Sequence, residues 1–129
     1  PEVLIWGTGR ARREFLYVDD MAEGCITVMG LSRETYAQHT TPTCAHINLG
    51  TGGDLTIADL AALIGEVVGY RGRIRFDTSQ PDGAPRKLLD VACAASLGWH
   101  ATVPLAEGLR RTYLDYQRAL RPLEEVAHA

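Results

Sequence analysis

Of the thirteen basic residues in this 129-residue sequence, twelve are arginine and only Lys87 is lysine. That scarcity excludes a Tyr-x-x-x-Lys pair, in which a lysine lowers a tyrosine pKa for hydride chemistry, because Gly83 stands four residues before Lys87. Cysteine is also sparse: Cys25, Cys44 and Cys93 are odd in number and irregular in spacing. They exclude a paired disulfide framework and fit a reducing, cytoplasmic setting. No apolar run approaches the ~20 residues that cross a bilayer, and no stretch reads as a signal peptide. Positive charge is not in excess either. The formal net charge is −3, which excludes nucleic-acid binding driven by overall charge. Neither a membrane nor nucleic acid is therefore an expected partner. The sequence also lacks an opening methionine, and Pro1-Glu2-Val3-Leu4-Ile5 begins an apolar run with no capping or turn signal ahead of it. The expectation is a portion of a longer polypeptide.

What is present reads as one small globular domain, with 46% hydrophobic and 22% charged residues. Val3 to Trp6 predicts a short strand closed by the turn Gly7-Thr8-Gly9. Glu14 to Val18 predicts a second strand from its β-branched and aromatic residues. Asp19 or Asp20 then caps a helix with Met21, Cys25, Ile26 and Met29 on its apolar face, ended by Gly30. Residues 32–44 have no clear period and read as loop. A third strand is expected from Ala45 to Leu49, running into Gly50-Thr51-Gly52-Gly53. Thr56 and Asp59 form a capping-box-like pair ahead of Ile57, Leu60, Leu63, Ile64, Val67 and Val68, and Gly69 occupies the C′ position. Arg73 to Phe76 is a strand, 77–87 a polar loop with two prolines, and Asp90 caps a short helix that stops at Gly98-Trp99. A last helix is expected from Pro104 to about Leu120, with Leu105, Leu109, Tyr113 and Tyr116 inward and Pro122 as its limit. Residues 1–121 form the body on this reading, and 122–129 a frayed tail. Alternating strands and helices define an α/β class.

Chemistry is unevenly distributed. Gly50-x-Gly52-Gly53 sits between a strand and a helix, but the third glycine of a dinucleotide fingerprint is replaced by Leu55. Gly7-Thr8-Gly9 fails in the same way at Arg12, so both read as tight turns. His46 follows Cys44 by two, and a lone Cys-x-His offers no second ligand pair, so no metal is expected. No catalytic acid–base pair can be assembled. Anion binding is the chemistry the residues favour. Arg10, Arg12 and Arg13 surround the first turn, and Arg13 offers a guanidinium fork that suits a diphosphate. Pro81-Asp82-Gly83-Ala84-Pro85-Arg86-Lys87 is a stiff loop ending in two cations, whose prolines lower the entropy lost on binding. Arg71, Arg73 and Arg75 alternate along one strand face and read as solvated. Trp6, beside the first basic cluster, packs either against a base or into the core.

Three segments in order, Trp6-Gly7-Thr8-Gly9, Arg13-Glu14-Phe15-Leu16-Tyr17-Val18-Asp19-Asp20-Met21-Ala22 and Pro81-Asp82-Gly83-Ala84-Pro85-Arg86-Lys87-Leu88-Leu89-Asp90, carry a resemblance. With His46-Ile47-Asn48-Leu49-Gly50-Thr51-Gly52, Leu97-Gly98-Trp99 and Glu107-Gly108-Leu109 they resemble the C-terminal part of the GDP-L-fucose synthases. These are NADP-dependent 3,5-epimerase/4-reductases of the extended short-chain dehydrogenase family. The resemblance reaches to about Tyr116. Departures fall at Arg10-Ala11, where the family often has Thr-Pro, and at Gln80 and Ala84, where lysine and threonine are common.

The resemblance implies an α/β fold that is the C-terminal substrate-binding portion of such an enzyme, lacking most of the Rossmann domain. It implies that Trp6, Arg13, Asp82 and Lys87 belong to the GDP-sugar site. It also implies that NADP and the catalytic Ser, Tyr-x-x-x-Lys and Cys/His residues belong to sequence not included here, so no catalytic, cofactor-binding or metal residue is expected in this chain. The partners implied are a GDP-sugar, the N-terminal Rossmann portion and a second subunit in a homodimer. Another nucleotide-sugar epimerase or dehydratase, or a non-catalytic nucleotide-binding module, are the rival expectations.

Overall fold

In the computed structural model, which describes residues 1–127 with side chains to 120, the elements run β1 (Glu2–Trp6), β2 (Arg12–Arg13), α1 (Val18–Met29), α2 (Arg33–His39), β3 (Leu55–Thr56), α3 (Ile57–Val68), β4 (Arg73–Asp77), β5 (Arg86–Lys87), α4 (Ala92–Ser96) and α5 (Leu105–Ala127). The class is α/β, as the alternation predicts. β1 and β4 pair in parallel from Glu2↔Arg73 to Trp6↔Asp77, and Arg73 and Arg75 lie on the exposed face of that pair. β2 is the middle strand of a second, three-stranded sheet, antiparallel to β3 and parallel to β5.

The best-determined local element is α3. Thr56 accepts from the Asp59 amide at 3.0 Å, Asp59 accepts from the Thr56 amide, and Gly69 closes the helix at φ 70°. That φ lies in the left-handed region, which glycine enters without a Cβ penalty. One face of α3 meets Val3, Ile5 and Ile74 of the parallel pair, and another meets Leu109 and Tyr113 of α5.

Several expectations fail for a common reason. Residues 14–17 form no strand, and Ala45 to Leu49 pairs with nothing among the described residues. Strand formation needs a ladder partner, and the chain supplies none at either place. Asp19 and Asp20 do not cap α1; Tyr17 holds that position without a side-chain bond. Within 32–44, Ser32 accepts from the Thr35 amide and starts α2, a local cap that the sequence reading passes over. Asp90 accepts from the Ala92 amide ahead of α4, although Val91 occupies the cap itself. α5 continues through Pro122 to Ala127 rather than stopping there, and the last residues of the expected frayed tail, 128 and 129, lie outside the described residues.

The core is thin. Among the described residues its buried hydrophobic side chains are Ala11, Ala94 and Trp99. Gly24 lets α1 approach that core, because a Cβ there would stand 2.9 Å from both Leu49 Cδ1 and Trp99 Cε2. The predicted apolar face of α1 points outward instead: Met21, Cys25, Ile26 and Met29 are all exposed, and so is Val18, expected in a strand. Accessible surface totals 9215 Å², whereas a compact monomer of 14.1 kDa exposes about 6,700 Å². The excess, about 2,500 Å², exceeds the ~800 Å² that one partner commits to a standard interface.

Candidate functional site

Parallel register brings together residues far apart in sequence. Arg12 stands opposite Arg86, and Arg13 opposite Lys87. Paired residues share a face and successive residues alternate, so the two pairs lie on opposite faces of the sheet. Like charges directly opposite destabilise a ladder unless something neutralises them. On the first face Asp54 bridges the two guanidinium groups and offsets one of their charges. Its side chain is almost wholly enclosed and accepts from Arg12 Nε at 2.8 Å and from Arg86 Nε, while its backbone carbonyl accepts from Arg12 Nη2. The bond from Arg86, then that from Arg12, hold the Asp54 carboxyl below the usual aspartate range against the opposing effect of burial.

No carboxylate answers the second pair. Arg13 Nη1 donates to the carbonyls of Arg12 and Ala84, at 2.7 and 2.8 Å, which fixes the guanidinium beneath the 81–85 loop. Lys87 is exposed and its ammonium has no acceptor among the described residues. One face of β2–β5 therefore carries a carboxylate between its two guanidinium groups, and the other carries two cations with no carboxylate bonded to them among the described residues.

The loop that delivers Lys87 is tied back to the first turn. Thr8 donates from its amide and its hydroxyl to the two oxygens of Asp82, both at 2.6 Å. The Thr8 hydroxyl, then the Thr8 amide, pull the Asp82 carboxyl below its usual range, with the nearby Arg10 charge adding to the effect. Gly7, at φ 87°, abuts Asp82 so closely that a Cβ would collide with the carboxylate. Trp6 immediately precedes this turn and is 72% exposed, so of the two expectations for it the open ring, not the core plug, is what the fold provides. Contacts thus run continuously from Trp6 through Gly7, Asp82 and Gly83 to Arg13, the Gly83 Cβ direction pointing 3.8 Å from Arg13 Nη2. Of the four residues singled out from sequence, Asp82 and Arg13 lie along this ledge, Trp6 precedes its first turn, and Lys87 stands opposite Arg13 on the ladder.

Both glycine turns are filled by the chain's own carboxylates. Glu14 Oε1 accepts from the amides of Thr51 and Gly52 at 2.6 and 2.7 Å, and Oε2 accepts from the Leu89 amide at 2.9 Å. Of the amides that could cradle a phosphate, those of Thr51 and Gly52 are thus committed to Glu14, that of Thr8 to Asp82, and that of Gly7 to the Asp77 carbonyl. Neither turn fits a dinucleotide. Glu14, Asp54 and Thr8 bond to this stretch without any motif in the sequence marking them. An acidic residue inside an otherwise apolar strand candidate was the available signal for Glu14. Among the described residues no group of three or more His, Cys, Asp or Glu side chains is placed to hold a metal.

Known proteins resemble this chain in sequence and in fold. The NAD dependent epimerase/dehydratase family matches residues 1–50, and similarity to individual enzymes extends over most of the chain. Its first 50 residues thus carry the pattern of that family. Within it, the sequence is similar to GDP-L-fucose synthase of Escherichia coli, 53% identical over 113 residues, 88% of this chain and 35% of that enzyme. Among solved structures, a GDP-6-OMe-4-keto-L-xylo-heptose reductase from Campylobacter jejuni superposes with TM-score 0.83 at 35% identity, covering 92% of this chain and 34% of that one. A GDP-mannoheptose C4 reductase from the same organism, solved with NADP bound, gives 0.75 at 36% identity over 90% of this chain and 35% of its own. The chain spans about a third of the length of the curated relatives it matches.

Proposed function

We propose that this chain forms the GDP-sugar-binding part of an NADP-dependent GDP-L-fucose synthase. The parent reaction converts GDP-4-keto-6-deoxy-D-mannose to GDP-L-fucose by 3,5-epimerisation and 4-reduction. The observation that carries this reading is the charge asymmetry of β2–β5: Asp54 bridges Arg12 and Arg86 and offsets one of their two charges, while Arg13 and Lys87 are paired on the ladder without a counter-charge among the described residues. Such a pair is stabilised by a diphosphate, and a planar guanidinium beside a compact ammonium suits two phosphoryl groups. Trp6 offers an exposed ring at the far end of the ledge, where a nucleobase can stack. Asp82 takes part by fixing the turn between them. The names of the relatives, which act on GDP-sugars, support the choice of nucleotide.

NADP and the groups that move protons and hydride belong, on this reading, to a Rossmann portion outside this chain. The exposed stripe of α1 and the unpaired segment 45–49 would close against it, and the intact enzyme would be a homodimer. Holding the substrate lowers a barrier without replacing a hydride donor. The 129-residue chain alone is therefore expected to consume no NADPH in the presence of the keto-sugar, and measurable consumption contradicts that assignment.

Calorimetric titration of the chain with GDP, UDP and NADPH tests the reading. GDP is expected to bind, and Arg13→Ala and Lys87→Ala each to weaken it by about tenfold or more, the loss typical of one charge-assisted contact. UDP binding as tight as GDP would favour another nucleotide-sugar enzyme, and a folded chain that ignores GDP would refute the site.

A further inference from the structure

We propose that Glu14 is a positioning residue of the anion ledge, fastening the backbone that carries Lys87 so that its ammonium stands beside Arg13. The inference rests on the reading of Arg13 and Lys87 as diphosphate ligands. Glu14 follows Arg13 directly and joins three separate segments. One oxygen holds the glycine turn through Thr51 and Gly52, and the other holds the Leu89 amide, two residues beyond Lys87. β5 is only two residues long, and the rest of the 81–90 stretch is exposed. Two clasps therefore set the place of Lys87: the Asp82–Thr8 tie ahead of it and the Glu14–Leu89 tie behind it. Gly50 is shaped to this task, since a Cβ there would come within 2.6 Å of Glu14 Oε1. Burial raises the Glu14 carboxyl pKa, but the amides of Leu89, Gly52 and Thr51 outweigh it and hold the group ionised below the usual range. An ionised carboxylate only accepts, which is what three converging amides and the Thr51 hydroxyl require.

Glu14→Gln is the discriminating variant, because the amide would turn a donor toward either the Leu89 N–H or the glycine turn. Amide hydrogen exchange and GDP titration are measured on the same chain. Exchange protection at Leu89, Thr51 or Gly52 is expected to fall by about tenfold or more, and GDP affinity by about tenfold. If Glu14 acts through Lys87, Glu14→Gln adds less than about twofold to the loss already caused by Lys87→Ala. An equal loss in both backgrounds would overturn the proposal, as would unchanged protection at all three amides. Where circular dichroism shows Glu14→Gln to be unfolded, Glu14→Asp, which keeps the charge but reaches less far, serves the same comparison. A wild-type chain that binds no GDP but loses these protections in Glu14→Gln refutes the ligand reading and supports the clasp.

Discussion

At Asp20, burial and hydrogen bonding pull the carboxyl pKa in opposite directions. Burial raises it. The Val103 amide and the hydroxyl and amide of Thr102 together outweigh burial, with the Arg111 charge adding to them, so the group titrates below the usual aspartate range. These bonds, at 2.9, 2.8 and 3.1 Å, tie the first turn of α1 to the loop ahead of α5. A carboxyl whose folded pKa is depressed stabilises the fold above its unfolded pKa, and that contribution disappears as pH falls through the folded value. Asp20→Asn should therefore cost about 2 kcal/mol at neutral pH in urea unfolding. The gap between wild type and variant should narrow below about pH 4. An equal gap at pH 7 and pH 3 would mean that the ionised form contributes nothing.

Among the elements, those specified by neighbours in sequence were legible. α3 has its cap, its apolar period and its closing glycine within fourteen residues of chain, Thr56 to Gly69, and all three stand as the sequence predicts. Thr56→Ala removes the acceptor for the Asp59 amide and should lower stability by about 1 kcal/mol, read from the urea midpoint at unchanged slope. β1 and β4 were likewise expected, because alternation and flanking turns announce a strand that does find a partner. Glu14 to Val18 and Ala45 to Leu49 carry the same composition without one, and composition alone does not reveal that. The same limit governs the site. Arginine and lysine content pointed to an anion, and the resemblance pointed to Trp6, Arg13, Asp82 and Lys87. The register that separates Arg12 and Arg86 from Arg13 and Lys87 is non-local, so the bridging Asp54 and the clasps at Glu14 and Thr8 became visible only in the fold.

As a whole, the molecule presents a well-tied ledge on a lightly cored body. Its excess surface, its outward apolar stripe on α1 and its span of about a third of its relatives' length agree with one another. The proposed division of labour is that this chain grips the nucleotide diphosphate and another portion performs the chemistry. None of the described helices is long and apolar enough to cross a membrane, so that stripe is not part of a membrane-spanning helix. The central claim is that the grip resides in Trp6, Arg13, Asp82 and Lys87. Mapping backbone amide chemical shifts of the 129-residue chain during a GDP titration tests it most directly. The account predicts shifts gathered at residues 6–13 and 81–87, with the glycine turn at 50–53 moving little because Glu14 already occupies it. Shifts centred on that glycine turn, or a folded spectrum that GDP leaves unchanged, would contradict the account.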